Sequence, residues 1–175
     1  MTYAHHVFTA GHSNKPVTVL LDTLTGAGIE LLVDVRMFPM SRRWPQFNRD
    51  ALSKSLAAAG IDYRHAPELG GRRKPSPDST NLGLRDPGFR AYADYMGTAE
   101  FEHALSVLLE DASQHRAAIM CAEALPWRCH RSLISDALVA RGIEVTHLIG
   151  AEQRAHTLTA AARVEDGRVG YPSML

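Results

Sequence analysis

The sequence predicts a single α/β domain built on a mostly parallel, doubly wound sheet of about five strands, Rossmann- or flavodoxin-like, with helices on both faces. Short apolar runs alternate with amphipathic helical stretches, as in chains that cover a parallel sheet on both sides. The chain has 175 residues, a length at which one domain buries about 70% of its unfolded surface. Each segment rich in reactive side chains directly follows a predicted strand.

The first strand is Val7 to Ala10, apolar and ending at Gly11-His12-Ser13. Pro16 to Ala27 reads as a helix with Val19, Leu20, Leu24 and Ala27 on one face and Gly28 as its stop. Leu31 to Val35 is apolar on both faces and therefore a central strand. Asn48 is placed to cap a helix running to Ala59 and closed by Gly60. Asp62 to His65 is the third strand, and the periodic stretch from Phe89 to Ala112 is expected to form the longest helix. The fourth strand, Ala117 to Cys121, leads into a helix from His130 to Ala140 stopped by Gly142, and Glu144 to Ile149 is the fifth. Residues 67–88, rich in Gly, Pro, Ser and Arg, read as one long irregular loop, and such loops in compact domains are usually functional. Asp166-Gly167 between apolar residues reads as a hairpin turn. We take residues 1–175 as one domain, with the tail 150–175 packing on or near the site.

Hydrophobic content of 45% and charged content of 22% are ordinary for a globular protein. A net charge of zero provides no general pull towards nucleic acid or membrane. Basic residues are skewed: beside Lys15, Lys54 and Lys74, sixteen of the nineteen are arginines, whose planar fork suits carboxylate and phosphate. Met1-Thr-Tyr-Ala-His-His does not read as a secretory leader, and no apolar run reaches the ~20 residues a membrane helix needs. Two cysteines without a Cys-rich pattern imply thiols in a reducing compartment, so the expected location is cytoplasmic.

In a parallel sheet the loops after the strands share the carboxyl edge, where open α/β proteins bind ligands. Seven arginines (36, 42, 43, 72, 73, 128 and 131) are thereby expected to rim one cleft. The richest segment is Cys121-Ala-Glu123-Ala-Leu-Pro126-Trp127-Arg128-Cys129-His130-Arg131, a strand-to-helix turn. Cys129 at a helix start beside cations is a candidate nucleophile, because helix-end amides and positive charge favour thiolate. Glu123, His130 and His12 are candidate acid–base groups.

Asp34 and Arg36 point to one face, so Asp34 can orient Arg36 towards an anion. Ser13, Arg42, Arg43 and Arg131 are further candidate anion contacts, and Gly70 and Gly71 allow close backbone approach. Arg42 and Arg43 with Trp44 and Phe47 mix guanidinium and aromatic groups, as where a base stacks beside its phosphate. A metal site using Cys121, Cys129 and His130 competes for the same atoms, though seven intervening residues is no standard finger spacing. Tyr92, Tyr95 and Met96 read as packing, and His5, His6, His103, His115 and His147 have no identifiable role.

Several stretches together resemble the bacterial and archaeal family called domain of unknown function 488. They are Thr9 to Asn14, Leu32 to Arg43 with Phe47-Asn48, Pro67 to Gly71, Phe89 to Met96, Met120 to Arg131, and the tail Ala162 to Pro172. The resemblance implies a single α/β domain and supplies no biochemical role. Leu32-Val-Asp34-Val-Arg36 is also similar to a short stretch of rhodanese-like sulfurtransferases, but no loop of small residues follows Cys121. Two readings stand: an enzyme with a reactive cysteine acting on a nucleotide-like or phosphorylated substrate, and a non-catalytic module binding nucleotide or nucleic acid through the arginines. The sequence names no cofactor. The expected partner is a small anionic or nucleotide-like ligand. Zero charge weighs against tight non-specific nucleic-acid binding.

Overall fold

The computed structural model describes residues 5–174; Met1 to Ala4, part of the segment read for a leader, and Leu175 lie outside it. A six-stranded, mostly parallel sheet carries five helices. Its strands are β1 (His6–Gly11), β2 (Leu31–Asp34), β3 (Asp62–His65), β4 (Ala117–Cys121), β5 (Glu144–Ile149) and β6 (Glu152–Ala155). They lie in the order β3-β2-β4-β1-β5-β6, and only β6 is antiparallel to its neighbour. The sixth strand is an addition to the five expected: Gly150 turns the chain back, and Glu152–Ala155 pairs with β5 although its side chains are exposed and polar. Nor is the order Rossmann- or flavodoxin-like, since both place β1 beside β2 and here β4 lies between them.

The helices are α1 (Val17–Gly26), α2 (Arg49–Ala58), α3 (Pro87–Met96), α4 (Ala99–Gln114) and α5 (Arg131–Val139). Alternation along each strand divides the interior into two cores. Phe8, Leu32, Ala118 and Met120 pack with Leu20 and Leu24 of α1 and Leu52 and Leu56 of α2. Val7, Val33 and Ile119 face the other way, onto Tyr92 of α3, Leu105 and Leu108 of α4 and Leu133 of α5. Val19 is 37% exposed, so the buried stripe of α1 is Leu20, Leu24 and Ala27 without it.

The long helix expected over Phe89–Ala112 is two. Asp86 caps α3 by accepting from the Phe89 amide, Gly97 ends it, and Thr98 caps α4 by accepting from the Phe101 amide. Such side-chain caps start a new helix by satisfying its orphan amides. Asn48 precedes α2, but its side chain accepts from the Ser41 amide instead and fixes the β2–α2 loop. The 67–88 stretch is tied down along its length. Tyr92 and Tyr95 donate to the Leu69 and Glu68 carbonyls, and Ser79 and Asn81 donate to Asp94. Beyond β6, β7 (Arg163–Glu165) and β8 (Arg168–Gly170) form the hairpin expected at Asp166-Gly167. Both turn residues have positive φ (53° and 74°), as a two-residue primed turn requires.

Candidate active site

The carboxyl ends of β1, β2 and β4 meet at a cavity of about 550 Å³. Its position follows from how the chain leaves β4. The His12 and Ser13 amides donate to the Cys121 and Ala122 carbonyls, which lays the β4–α5 loop across the end of β1. A Cβ at position 11 would overlap the Glu123 carbonyl oxygen, so only glycine permits this crossing.

Cys129 lies at the foot of α5 and is 8% exposed. Three donors converge on its sulfur: the Arg131 amide at 3.3 Å, Arg131 Nε at 3.4 Å, and the thiol of Cys121, whose Sγ is 2.9 Å away. Burial opposes a thiolate, but the Cys121 thiol, the guanidinium charge and both Arg131 hydrogen bonds outweigh it, bringing the pKa down to about 6. Burial, the shared hydrogen bond and the neighbouring sulfur push Cys121 well up, so Cys121 holds the proton and Cys129 the negative charge. Both are free cysteines.

Arg131 is completely buried and each of its side-chain nitrogens donates to a protein atom. Nη2 donates to the Glu123 and Ala124 carbonyls and Nη1 to Thr9 Oγ1, 3.1 Å away. It therefore braces the loop and the thiolate, with no fork left to hold an external anion. Arg36 is similarly committed. Nε and Nη2 form a bidentate pair with fully buried Asp34, Nη2 also donates to the Phe47 carbonyl, and Nη1 lies 3.4 Å from His12 Nε2. Asp34 additionally accepts from the Arg36 amide and from Tyr63 Oη at 2.6 Å.

His12 stacks on Phe47 with ring centroids 4.2 Å apart and donates from Nδ1 to the Ser13 carbonyl, which leaves Nε2 as an acceptor at the cavity. Burial foremost lowers its pKa to about 4, so it is neutral at pH 7. His130 also lines the cavity, where Nε2 donates to the Val35 carbonyl and burial again lowers the pKa to about 4. Gly71 packs on its ring: a Cβ there would come 2.6 Å from Nδ1. Gly70 packs on Met37 and the Pro67 carbonyl and does not line the cavity.

Of the residues singled out in the sequence, the fold brings His12, Arg36, Gly71, Cys121, Glu123, Cys129 and His130 to this one cavity. It does not so place Ser13, whose hydroxyl turns to Asn14, or Arg42 and Arg43, which are exposed, with Arg43 stacked on Trp44. Only Arg36 and Arg72 of the seven arginines line the cleft. Arg73 lies 3.6 Å from the Tyr95 ring centroid and holds three carbonyls of the 67–70 turn, while Arg128 is exposed elsewhere. Met37, Phe38, Met40, Trp44 and Phe89 supply an apolar wall, in which Phe38 is 67% exposed and Met40 77%. Among the described residues no three His, Cys, Asp or Glu side chains are grouped to hold a metal, and His130 turns Nε2 to the Val35 carbonyl.

The chain belongs to the DUF488 family. The family, described as domain of unknown function DUF488, matches residues 16–138, from just before α1 to within α5. That span covers the β2 turn and the whole Cys121–Arg131 segment; the His12 turn and the tail lie outside it. Comparison with curated proteins and with solved structures gives no match. No helix among the described residues is long and apolar enough to cross a membrane.

One set of residues in this DUF488 chain escaped sequence reading. Thr9 Oγ1 is 2.7 Å from His147 Nδ1, His147 Nε2 is 2.8 Å from His156 Nδ1, and His156 Nε2 is 2.7 Å from Asp136. Asp136 also accepts from Tyr171 Oη and the Thr159 amide. The ends of the chain are fixed, since the Arg131 guanidinium can only donate and the Asp136 carboxylate can only accept. Burial foremost lowers the His147 pKa, to about 3. The signal was a polar residue inside each of two apolar strands, and Thr9 and His147 are register partners on β1 and β5. The tail reaches this network and a second cavity of about 310 Å³ bordered by His147 and His156, rather than the first.

Proposed function

We propose that this protein is a thiol-dependent enzyme in which Cys129, as a thiolate, attacks a small anionic molecule seated in the 550 Å³ cavity. The reading rests on the three donors converging on a buried sulfur at the cavity floor, an arrangement that stabilises a nucleophile at neutral pH. Arg72 supplies positive charge for an anionic group, and Trp44, Phe38 and Phe89 supply apolar surface for a flat body. Nucleotide-like and phosphorylated molecules belong to that class. Arg131 acts through Cys129 as a positioning residue. His12 Nε2 borders the same space and becomes the base available to a substrate proton once a substrate donor replaces its 3.4 Å contact with Arg36 Nη1.

The test is alkylation of Cys129 against pH in Cys121→Ser protein, where the serine hydroxyl keeps a donor. The rate is expected to rise through pH about 6. At pH 7 about 90% is then thiolate, against about 3% for a free cysteine of pKa ~8.5. A midpoint at or above ~8.5 removes the nucleophile and leaves a non-catalytic nucleotide-binding module.

A further inference from the structure

Beyond its hydrogen bond to Cys129, the second thiol has no part in the chemistry described so far. Cys121 Sγ and Cys129 Sγ are 2.9 Å apart, both line the same cavity, and both are free. A disulfide bond is about 2.0 Å long, so under about 1 Å of approach separates the pair from one. We propose that Cys121 is the resolving nucleophile of a dithiol centre, and that the reacting bond of the substrate is the S–S bond of a small anionic disulfide. The proposal rests on Cys129 being the attacking thiolate.

The surroundings of Cys129 favour sulfur over phosphoryl or acyl substrates. Each Arg131 side-chain nitrogen beside Cys129 already donates to a protein atom, so this guanidinium offers no open fork to phosphoryl oxygens. A neighbouring thiol is idle towards a phosphoryl- or acyl-cysteine awaiting water. Towards a mixed disulfide it is decisive, because attack on the Cys129 sulfur expels the second thiol.

The steps balance. The Cys129 thiolate attacks one sulfur of R–S–S–R, forms Cys129–S–S–R and releases RS⁻. Bonding removes the negative charge from Cys129, so the Arg131 guanidinium now stabilises charge on Cys121. Cys121 attacks Cys129 Sγ, the remaining R–S bond partner departs as a thiolate, and the Cys121 proton ends on it as RSH. The protein loses two electrons to the substrate disulfide, which becomes two thiols. An external thiol reductant returns the Cys121–Cys129 pair to its dithiol form.

Reduced wild-type protein is mixed with dithiodipropionate, a small dianionic disulfide, and followed by intact mass and free-thiol count. The expected result is loss of both free thiols with no retained adduct, while Cys121→Ser keeps one mercaptopropionate on residue 129 and Cys129→Ser does not react. The dianion should react faster than cationic cystamine. A wild type that retains a stable adduct on Cys129 with Cys121 still alkylatable overturns the proposal, as does an equally reactive Cys129→Ser. Alkylation of Cys121→Ser at pH 7 separates the two readings. Fast alkylation with a persistent wild-type adduct defeats only the resolving role, and slow alkylation with no exchange defeats the thiolate as well.

Discussion

Replacing Thr9 with valine tests the buried chain of donors that holds Arg131 against Cys129. Valine preserves the branched shape and removes one hydroxyl. In the native protein that hydroxyl accepts from Arg131 Nη1 at 3.1 Å and is hydrogen-bonded to His147 Nδ1 at 2.7 Å, and all three side chains are at most 4% exposed. The substitution strands a guanidinium N–H and an imidazole nitrogen away from water. Each stranded group costs about 1–3 kcal/mol, more for a charged one, so we expect a loss of about 3–5 kcal/mol. That is a large fraction of the ~5–15 kcal/mol that holds a domain together. Equilibrium urea unfolding measures it directly, with Thr9→Ser as control, since serine keeps the hydroxyl and gives up one methyl worth about 1 kcal/mol. Arg131 released from Thr9 should also hold the thiolate less well, moving the Cys129 alkylation midpoint upward from about 6. A valine variant no less stable than the serine variant would refute the chain as a structural unit.

Asp34→Asn should cost about 3–5 kcal/mol in the same assay, because Arg36, 8% exposed, is left as a buried charge without its counterion. Tyr63→Phe removes only the 2.6 Å hydrogen bond to that carboxylate and should cost about 1–3 kcal/mol. Gly11→Ala should yield little folded protein by circular dichroism, since a Cβ there overlaps the Glu123 carbonyl oxygen; a normal yield would mean that the Cys loop does not cross β1. Acid should destabilise the fold through its buried histidines. The pKa values of His12 and His130 are lowered to about 4 and that of His147 to about 3, so below the unfolded value of 6.5 the unfolded chain binds protons that the folded one does not. Stability then falls as pH drops from about 6.5 towards 4, each site contributing at most about 1.4 kcal/mol per pH unit. A flat urea midpoint between pH 7 and 5 would contradict this.

The alternation of apolar runs and amphipathic stretches placed the parallel strands and most helices, because burial on both faces of a sheet leaves a pattern within a few residues. The same logic brought His12, Arg36, Glu123 and Cys129 to one edge, since loops after parallel strands must emerge together. The break at Gly97-Thr98 went unread because apolar spacing continues across it, and the sixth strand because hydrogen bonding to β5, not hydrophobicity, defines it. Strand order lay beyond local pattern too: β4 enters between β1 and β2 through contacts far apart in sequence. What each arginine does was decided only by the tertiary structure. Guanidinium groups are alike in sequence, yet Arg131 and Arg73 donate to carbonyls of the loops that precede them and Arg36 to Asp34, while Arg42, Arg43 and Arg128 face solvent. Thr9, His147, His156 and Asp136, spread over more than a hundred positions, become one network because parallel pairing sets Thr9 beside His147 and the tail returns His156 to Asp136. A hydrogen bond requires its partners within about 3 Å, and for residues this far apart only the packed chain sets that distance.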